Sequence, residues 1–149
     1  MSLLKPLFSV MWNNYPINIH TCTMTISNTC AIRMSECLIK SGWTKDTFRD
    51  KRYTGKICSH GYARGAQDIV AFLRKVWGSQ TIGWSAQENY TDAPSNSLNK
   101  KGIICFMNIP GFAGQGHIDL WDGTKSKPVE RTRRGQYWHS STIWLWVLK

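Results

Sequence analysis

The chain is organised around residues 28–35, which read Asn28-Thr29-Cys30-Ala31-Ile32-Arg33-Met34-Ser35. Asn28 or Thr29 can cap the N-terminus of a helix, because its side chain accepts a hydrogen bond from the unpaired N–H groups of the first turn. Cys30 then lies in that turn, where the aligned peptide dipoles favour a negative charge. Since thiolate is the reactive form of cysteine, the stretch predicts a nucleophile at a helix start. The same spacing also fits a small buried apolar residue.

Composition limits the class of protein. A chain of 149 residues with 42% apolar residues and eight tryptophans is typical of one folded domain. Its longest apolar runs are too short to span a bilayer, so we expect no membrane insertion. The formal net charge of +10 suits an anionic polymer as a partner, and it equally suits a soluble basic surface. The apolar start, residues 1–12, is interrupted by Lys5-Pro6 and predicts no Sec signal peptide.

The cysteines do not form a metal-binding pattern. The sequence has five of them and neither a CxxC pair nor zinc-finger spacing, so we expect no structural metal and no cofactor. Cys30 and Cys37 are separated by two helical turns, or about 10 Å, which is beyond the reach of a disulfide. A bridge that involves Cys22 or Cys58 stays open.

Three helices are predicted in the first half. Apolar residues at helical spacing indicate helices over residues 2–15, 30–40 and 66–77, of which the last has the clearest period. The charged, turn-rich residues 43–60 are predicted to be a surface excursion. We expect residues 17–27 to be a loop with strand fragments.

Strands are predicted in the second half. The apolar run 103–107 is typical of a buried strand, and residues 142–148 form a closing strand. Residues 117–121 alternate, with His117, Asp119 and Trp121 on one face. We expect long polar connections over residues 79–99 and 124–141. Helices followed by strands indicate an α+β fold in which helices pack on an antiparallel β-sheet.

A cysteine nucleophile needs a base to remove its proton. His117 is the candidate that such an α+β arrangement brings to a sheet facing the helix of Cys30. From the residues alone, His20 and His60 remain rival bases, and the other cysteines are expected to be structural.

Six segments in matching order resemble a known family. They are Asn14-Tyr15-Pro16, residues 30–35, Gly61-Tyr62-Ala63-Arg64-Gly65, Lys101-Gly102-Ile103-Ile104, residues 116–123 (GHIDLWDG) and Leu145-Trp146-Val147-Leu148. Together they resemble the fourth family of type VI secretion amidase effectors.

The resemblance implies a fold, an activity and partners. It implies that residues 1–149 form a single papain-like cysteine amidase domain of the NlpC/P60 kind, with Cys30 and His117 as the catalytic pair. Such effectors are injected into the periplasm of rival Gram-negative cells. There they cleave the D-glutamate–meso-diaminopimelate bond in the stem peptides of peptidoglycan. A cognate immunity protein protects the producing cell, and no nucleic acid is involved.

The third catalytic residue departs from the family pattern. Family members often carry a histidine-orienting aspartate about a dozen residues after the histidine, whereas this chain reads Ser126-Lys127-Pro128-Val129-Glu130 there. We expect Asp119 to take this role, and Asp122 and Glu130 are the alternatives.

Arg33, Tyr62 and Trp121 are the predicted substrate-binding residues. Arg33 can pair with a stem carboxylate, although it can equally be a structural ion-pair partner, and the two rings can form groove walls. A different class of function also stays open: a non-enzymatic module that binds an anionic polymer, either cell wall or nucleic acid. A third hypothesis keeps the nucleophile but transfers the acyl group to an amine.

Overall fold

The computed structural model describes residues 3–17, 22, 29–85, 93–112, 114–132 and 137–149. The chain divides into two compact units, residues 1–79 and 80–149. In the described residues, the first unit carries three α-helices and the second carries one five-stranded antiparallel sheet. The predicted α+β class is therefore confirmed. The single domain over residues 1–149 stays a prediction, and most of the predicted loop 17–27 lies outside the described residues.

The helices are α1 (Phe8–Asn14), α2 (Cys30–Lys40) and α3 (Ala66–Trp77). The bounds of α2 and α3 are those predicted from the apolar spacing. Helix α1 is shorter than the predicted 2–15: it begins at Phe8, and Leu4 and Leu7, which the prediction placed on the apolar face, are 77% and 56% exposed. None of the described helices is both long and apolar enough to cross a bilayer.

The predicted surface excursion over residues 43–60 is wrong. Trp43, Phe48 and Tyr53 are buried in this segment, and their ring centroids lie 6.0, 5.6 and 6.1 Å from that of Phe72 on α3. The charged residues of the segment obscured these three aromatic side chains. Each ring removes a large apolar area from water, so the segment is part of the core of the first unit.

The sheet contains β1 (Ile82–Ser85), β2 (Lys101–Met107), β3 (His117–Asp122), β4 (Val129–Glu130) and β5 (Thr142–Val147), in the order β1-β5-β2-β3-β4. All neighbouring strands are antiparallel. The three strands predicted from sequence are present with small shifts at their ends. The two outer strands, β1 and β4, lie in segments that were predicted to be polar connections.

An aromatic core covers one face of this sheet. Trp138 is fully buried, and its ring meets those of Trp84, Phe106 and Trp121 edge-on at centroid distances of 5.3 to 5.4 Å. The polar stretch 124–141 therefore contains a central core residue. The register pairs Phe106 with His117, so the predicted histidine strand runs beside this core.

Candidate active site

Cys30 is the first residue of α2, as predicted. Its thiol is not part of a disulfide, and 6% of the residue's surface is exposed. Thr29 precedes it, but its hydroxyl does not cap the helix; instead it accepts a hydrogen bond from Arg33 Nε at 3.1 Å. The first-turn N–H groups of α2 are therefore not occupied by a Thr29 cap, and Asn28, the other predicted cap, lies outside the described residues.

Side chains of α2 fix the position of the helix start. Arg33 also donates to the carbonyl oxygen of Pro16 at 2.8 Å. The Ser35 hydroxyl donates to the Ala31 carbonyl at 2.8 Å and accepts from the backbone N–H of Ala63 at 2.9 Å. Arg33 therefore donates hydrogen bonds to Thr29 and Pro16 within the protein. Its role in substrate binding stays a prediction.

His117 begins β3 and is 4% exposed. Its imidazole lies nearly parallel to the Phe106 ring at 6.4 Å, and Tyr137 meets it edge-on at 5.6 Å. The preceding Gly116 has a φ of 101°, and a β-carbon there would collide with the backbone oxygen of Phe106. Only glycine therefore allows the chain to enter β3 so close to β2.

Asp119 orients the imidazole. Its Oδ2 lies 3.0 Å from His117 Nε2, and because a carboxylate only accepts hydrogen bonds, Nε2 carries the proton. Asp119 Oδ1 accepts from the Leu120 N–H at 2.7 Å, and Oδ2 accepts from the N–H and the hydroxyl of Thr132. These donors hold the carboxylate in one orientation. With Nε2 protonated, Nδ1 is the basic nitrogen of the neutral ring.

A second carboxyl group lies at the same nitrogen. Glu130 Oε2 is 3.2 Å from His117 Nε2, although the ring N–H is directed at Asp119 and Glu130 gains no hydrogen bond from it. Glu130 is 2% exposed. Burial raises its pKa, and the negative charge of Asp119 raises it further, while the adjacent imidazole acts in the opposite direction.

The pairing of β3 with β4 explains this arrangement. Trp121 lies opposite Glu130, and Arg131 N donates to Leu120 O, so Thr132 follows opposite Asp119. Asp122, the remaining alternative, accepts from the N–H and the hydroxyl of Thr124 and so caps a turn. Of the three acids considered from sequence, Asp119 and Glu130 reach His117.

The predicted substrate role of Trp121 is wrong. The ring is fully buried in the aromatic core, and its Nε1 donates to the Ser97 carbonyl at 3.1 Å, so it cannot form a groove wall. Tyr62 is half-buried and its ring stacks on His60 at 6.4 Å. Its role in binding stays a prediction.

Cys22, Cys58 and His60 form a second cluster of cysteine and histidine side chains. Cys22 and Cys58 are joined by a disulfide, and His60 Nδ1 lies 2.8 Å from Cys22 Sγ. Two groups of three side chains bring potential metal ligands within 4.8 Å of one another in the described residues: Cys22, Cys58 and His60, and His117, Asp119 and Glu130. In the first, both sulfurs are used by the disulfide. In the second, His117 Nε2 is engaged in the hydrogen bond with Asp119. Cys37 and Cys105 are buried, while His20 lies outside the described residues.

The alternating pattern of β3 predicts that His117 and Asp119 lie together, and the structure shows them hydrogen-bonded. The pattern missed Thr132 and Tyr137, whose proximity depends on strand pairing and on a core tryptophan in a polar stretch. Cys30 belongs to residues 1–79 and His117 to residues 80–149, so the pairing of these two residues stays a prediction.

Similar folds are found among bacterial effector proteins. The chain is similar to the type VI effector Tae4 from Enterobacter cloacae, with a TM-score of 0.72, 24% identity and full coverage of both chains. It is also similar to chains in the type VI effector–immunity complexes Tae4–Tai4 from E. cloacae and Salmonella Typhimurium. These have TM-scores of 0.73 and identities of 23% and 20%, with 98% of this chain and 100% of the other covered. No match was found among curated proteins.

These likenesses show that the chain has the fold of the type VI effector Tae4. The family model for type VI secretion system amidase effector protein 4, Tae4, matches residues 26–146, and the chain belongs to this family. At the level of the family, its role is that of a peptidoglycan-targeting antibacterial amidase.

Proposed function

We propose that the protein is a cysteine amidase that hydrolyses the D-glutamate–meso-diaminopimelate bond of peptidoglycan stem peptides. The observation that carries this proposal is the buried hydrogen bond between His117 and Asp119. Because Nε2 carries the proton of this bond, Nδ1 has the lone pair that can act as a base. Membership of an amidase family and a cysteine outside any disulfide at the start of α2 support the proposal.

The reaction follows from the roles of these groups. His117 Nδ1 takes the proton of the Cys30 thiol, and the sulfur attacks the amide carbonyl of D-glutamate. Backbone N–H groups at the start of α2 stabilise the resulting oxyanion. The imidazolium then protonates the departing amine of diaminopimelate, which leaves a thioester. Water, activated by the same imidazole, hydrolyses the thioester and releases the thiol.

The setting of this reaction is also part of the proposal. We propose delivery into the periplasm of a target cell, where the stem peptides are accessible. The relatives solved as Tae4–Tai4 effector–immunity complexes support a cognate immunity protein as the partner in the producing cell.

Mass spectrometry of digested peptidoglycan tests the proposal. Purified sacculi are incubated with wild type, Cys30→Ala, His117→Ala and the control Cys37→Ala, which removes a buried thiol from the same helix. Wild type and Cys37→Ala should create new amine and carboxylate ends at the glutamate–diaminopimelate bond. The other two variants should produce none while keeping the circular dichroism spectrum of wild type.

Each alternative gives a different result. A non-enzymatic binding module would retain sacculi without new ends, and Cys30→Ala would not change its binding. An acyltransferase would yield glutamate coupled to an added amine instead of the free carboxylate. Cleavage at another bond would refute the proposed specificity alone.

A further inference from the structure

Two carboxyl groups compete for one N–H group in the His117 cluster. Nε2 lies 3.0 Å from Asp119 Oδ2 and 3.2 Å from Glu130 Oε2. A ring nitrogen has a single N–H bond, and here it is directed at Asp119. Glu130 therefore lies against the imidazole without receiving its hydrogen bond.

The surroundings of the two acids differ sharply. Asp119 accepts hydrogen bonds from His117, from the Leu120 N–H and from the N–H and hydroxyl of Thr132. That set of donors stabilises an ionised carboxylate. Glu130 has no hydrogen-bond donor to either oxygen in the part of the chain that the structure describes, and its side chain is 1% exposed. A buried charge without donors, beside a second negative charge, is strongly unfavourable.

We propose that Glu130 is a neutral carboxylic acid whose O–H group donates to Asp119, which makes Glu130 a positioning residue for the Asp119–His117 pair. Protonation removes the repulsion between the two acids and gives Glu130 a donor of its own. Burial is the largest cause of the raised pKa of Glu130, and the charge of Asp119 and hydrogen bonding with it act in the same direction, against the opposing effect of the His117 imidazole.

The consequence is a division of roles. Asp119 stays the charged acceptor for Nε2–H, and Glu130 restrains Asp119 from the side of β4. The imidazole plane is then fixed through two links, Glu130 to Asp119 and Asp119 to His117. The part of this inference that concerns catalysis rests on the proposed function, whereas the protonation of Glu130 does not.

Carbon-13 NMR of glutamate side chains tests the protonation directly. The sequence contains three glutamates, Glu36, Glu88 and Glu130, so labelled side-chain carboxyl carbons give a simple spectrum. At neutral pH one resonance should have the chemical shift of a protonated acid, and it should vanish in Glu130→Gln. Three resonances of the carboxylate type would overturn the proposal. Glu36→Gln is the control and should leave the protonated resonance in place.

Turnover of the variants tests the positioning role. In Glu130→Gln the amide N–H replaces the O–H donor, so this variant should recover most of the activity that Glu130→Ala loses, which we expect to be about tenfold. Asp119→Asn should lose about 100-fold or more, because the charged acceptor of Nε2–H is removed. Equal losses in Glu130→Gln and Glu130→Ala would mean that Glu130 acts as a charged carboxylate, and the inference would fall.

The two proposals can fail separately. If Cys30→Ala cleaved peptidoglycan like wild type, the proposed cysteine chemistry would be wrong, but the NMR experiment would still decide the state of Glu130. If the NMR experiment showed an ionised Glu130 in an enzyme that Cys30→Ala inactivates, only the further inference would be lost.

Discussion

The two units of this molecule place their chemical groups by different means. In residues 1–79, Cys30 lies in a local feature, the first turn of α2, which the neighbouring sequence predicts and which Arg33 and Ser35 hold in place. In residues 80–149, His117, Asp119 and Glu130 meet because β3 and β4 pair in one particular register. A reactive group at a helix end can thus be found by reading along the chain, whereas a group assembled across strands depends on which residues pair.

The largest effect expected from this difference concerns two glycines with positive φ. Gly116 at the start of β3 would bring a new β-carbon against the backbone of Phe106, whereas Gly78 at the end of α3 has no atom within 4 Å of such a carbon. We expect Gly78→Ala to cost about 1 kcal/mol of unfolding free energy from backbone strain alone. Gly116→Ala should cost about 3 kcal/mol or more, because the strand must also move.

Urea denaturation followed by circular dichroism measures both losses. Gly116→Ala should in addition lose amidase activity, because His117 follows directly in the chain, while Gly78→Ala should retain it. Equal losses of stability in the two variants would show that the close approach of β3 to β2 is less restrictive than the contact implies.

The sequence predicts those helices and strands whose apolar residues repeat at regular spacing, because this pattern can be read from neighbouring residues. Helices α2 and α3 follow from their apolar spacing, and β2, β3 and β5 follow from their short apolar or alternating runs. Strand β4 was missed because two residues, Val129 and Glu130, give no periodic signal. The aromatic residues of the segment 43–60 were misread because its charged residues dominate the composition.

A smaller effect is expected from the titration of Glu130. Its pKa is raised in the folded state, so protonation stabilises the fold fully below the ordinary value of 4.5, and this contribution is lost as pH rises through the folded-state pKa. Among described residues, the charged groups that face Glu130 are His117 and Asp119. The Glu130→Gln side chain does not titrate, so the variant does not lose this contribution. As pH rises above 4.5, the unfolding free energy of wild type should therefore fall relative to that of Glu130→Gln. Parallel pH profiles would contradict this prediction.

The smallest effect is expected from a partly exposed ion pair in the first unit, Asp50 with Arg52. Hydrogen bonds from Arg52 lower the pKa of Asp50 from 3.8 to about 2. The resulting stabilisation is present above pH 3.8 and is lost as pH falls toward 2. In Asp50→Asn the loss of stability between pH 3.8 and 2 should be smaller than in wild type. At neutral pH the variant should change stability little, because ion pairs near the surface contribute weakly. Thermal unfolding at a series of acidic pH values measures the change, and a marked loss at neutral pH would refute it.

Part of the candidate site could also be predicted, because the alternation of residues along a single strand is a local pattern. Alternation along β3 placed His117 and Asp119 on one face, and the structure adds the hydrogen bond between them. The same alternation placed Trp121 on that face, but it could not reveal that Trp138 covers this ring. Burial by a residue distant in sequence is not encoded in the spacing of a single strand.

The lengths of the strands bear on how this sheet behaves at high concentration. Within the residues that the structure describes, its outer members span four and two residues, while the three inner ones span six or seven. Edge strands this short present few unpaired N–H and C=O groups with which a strand of another molecule could pair. Short edge strands are one way in which natural sheets avoid edge-to-edge association. The strand that brings Glu130 to the imidazole therefore also helps to keep the protein from aggregating.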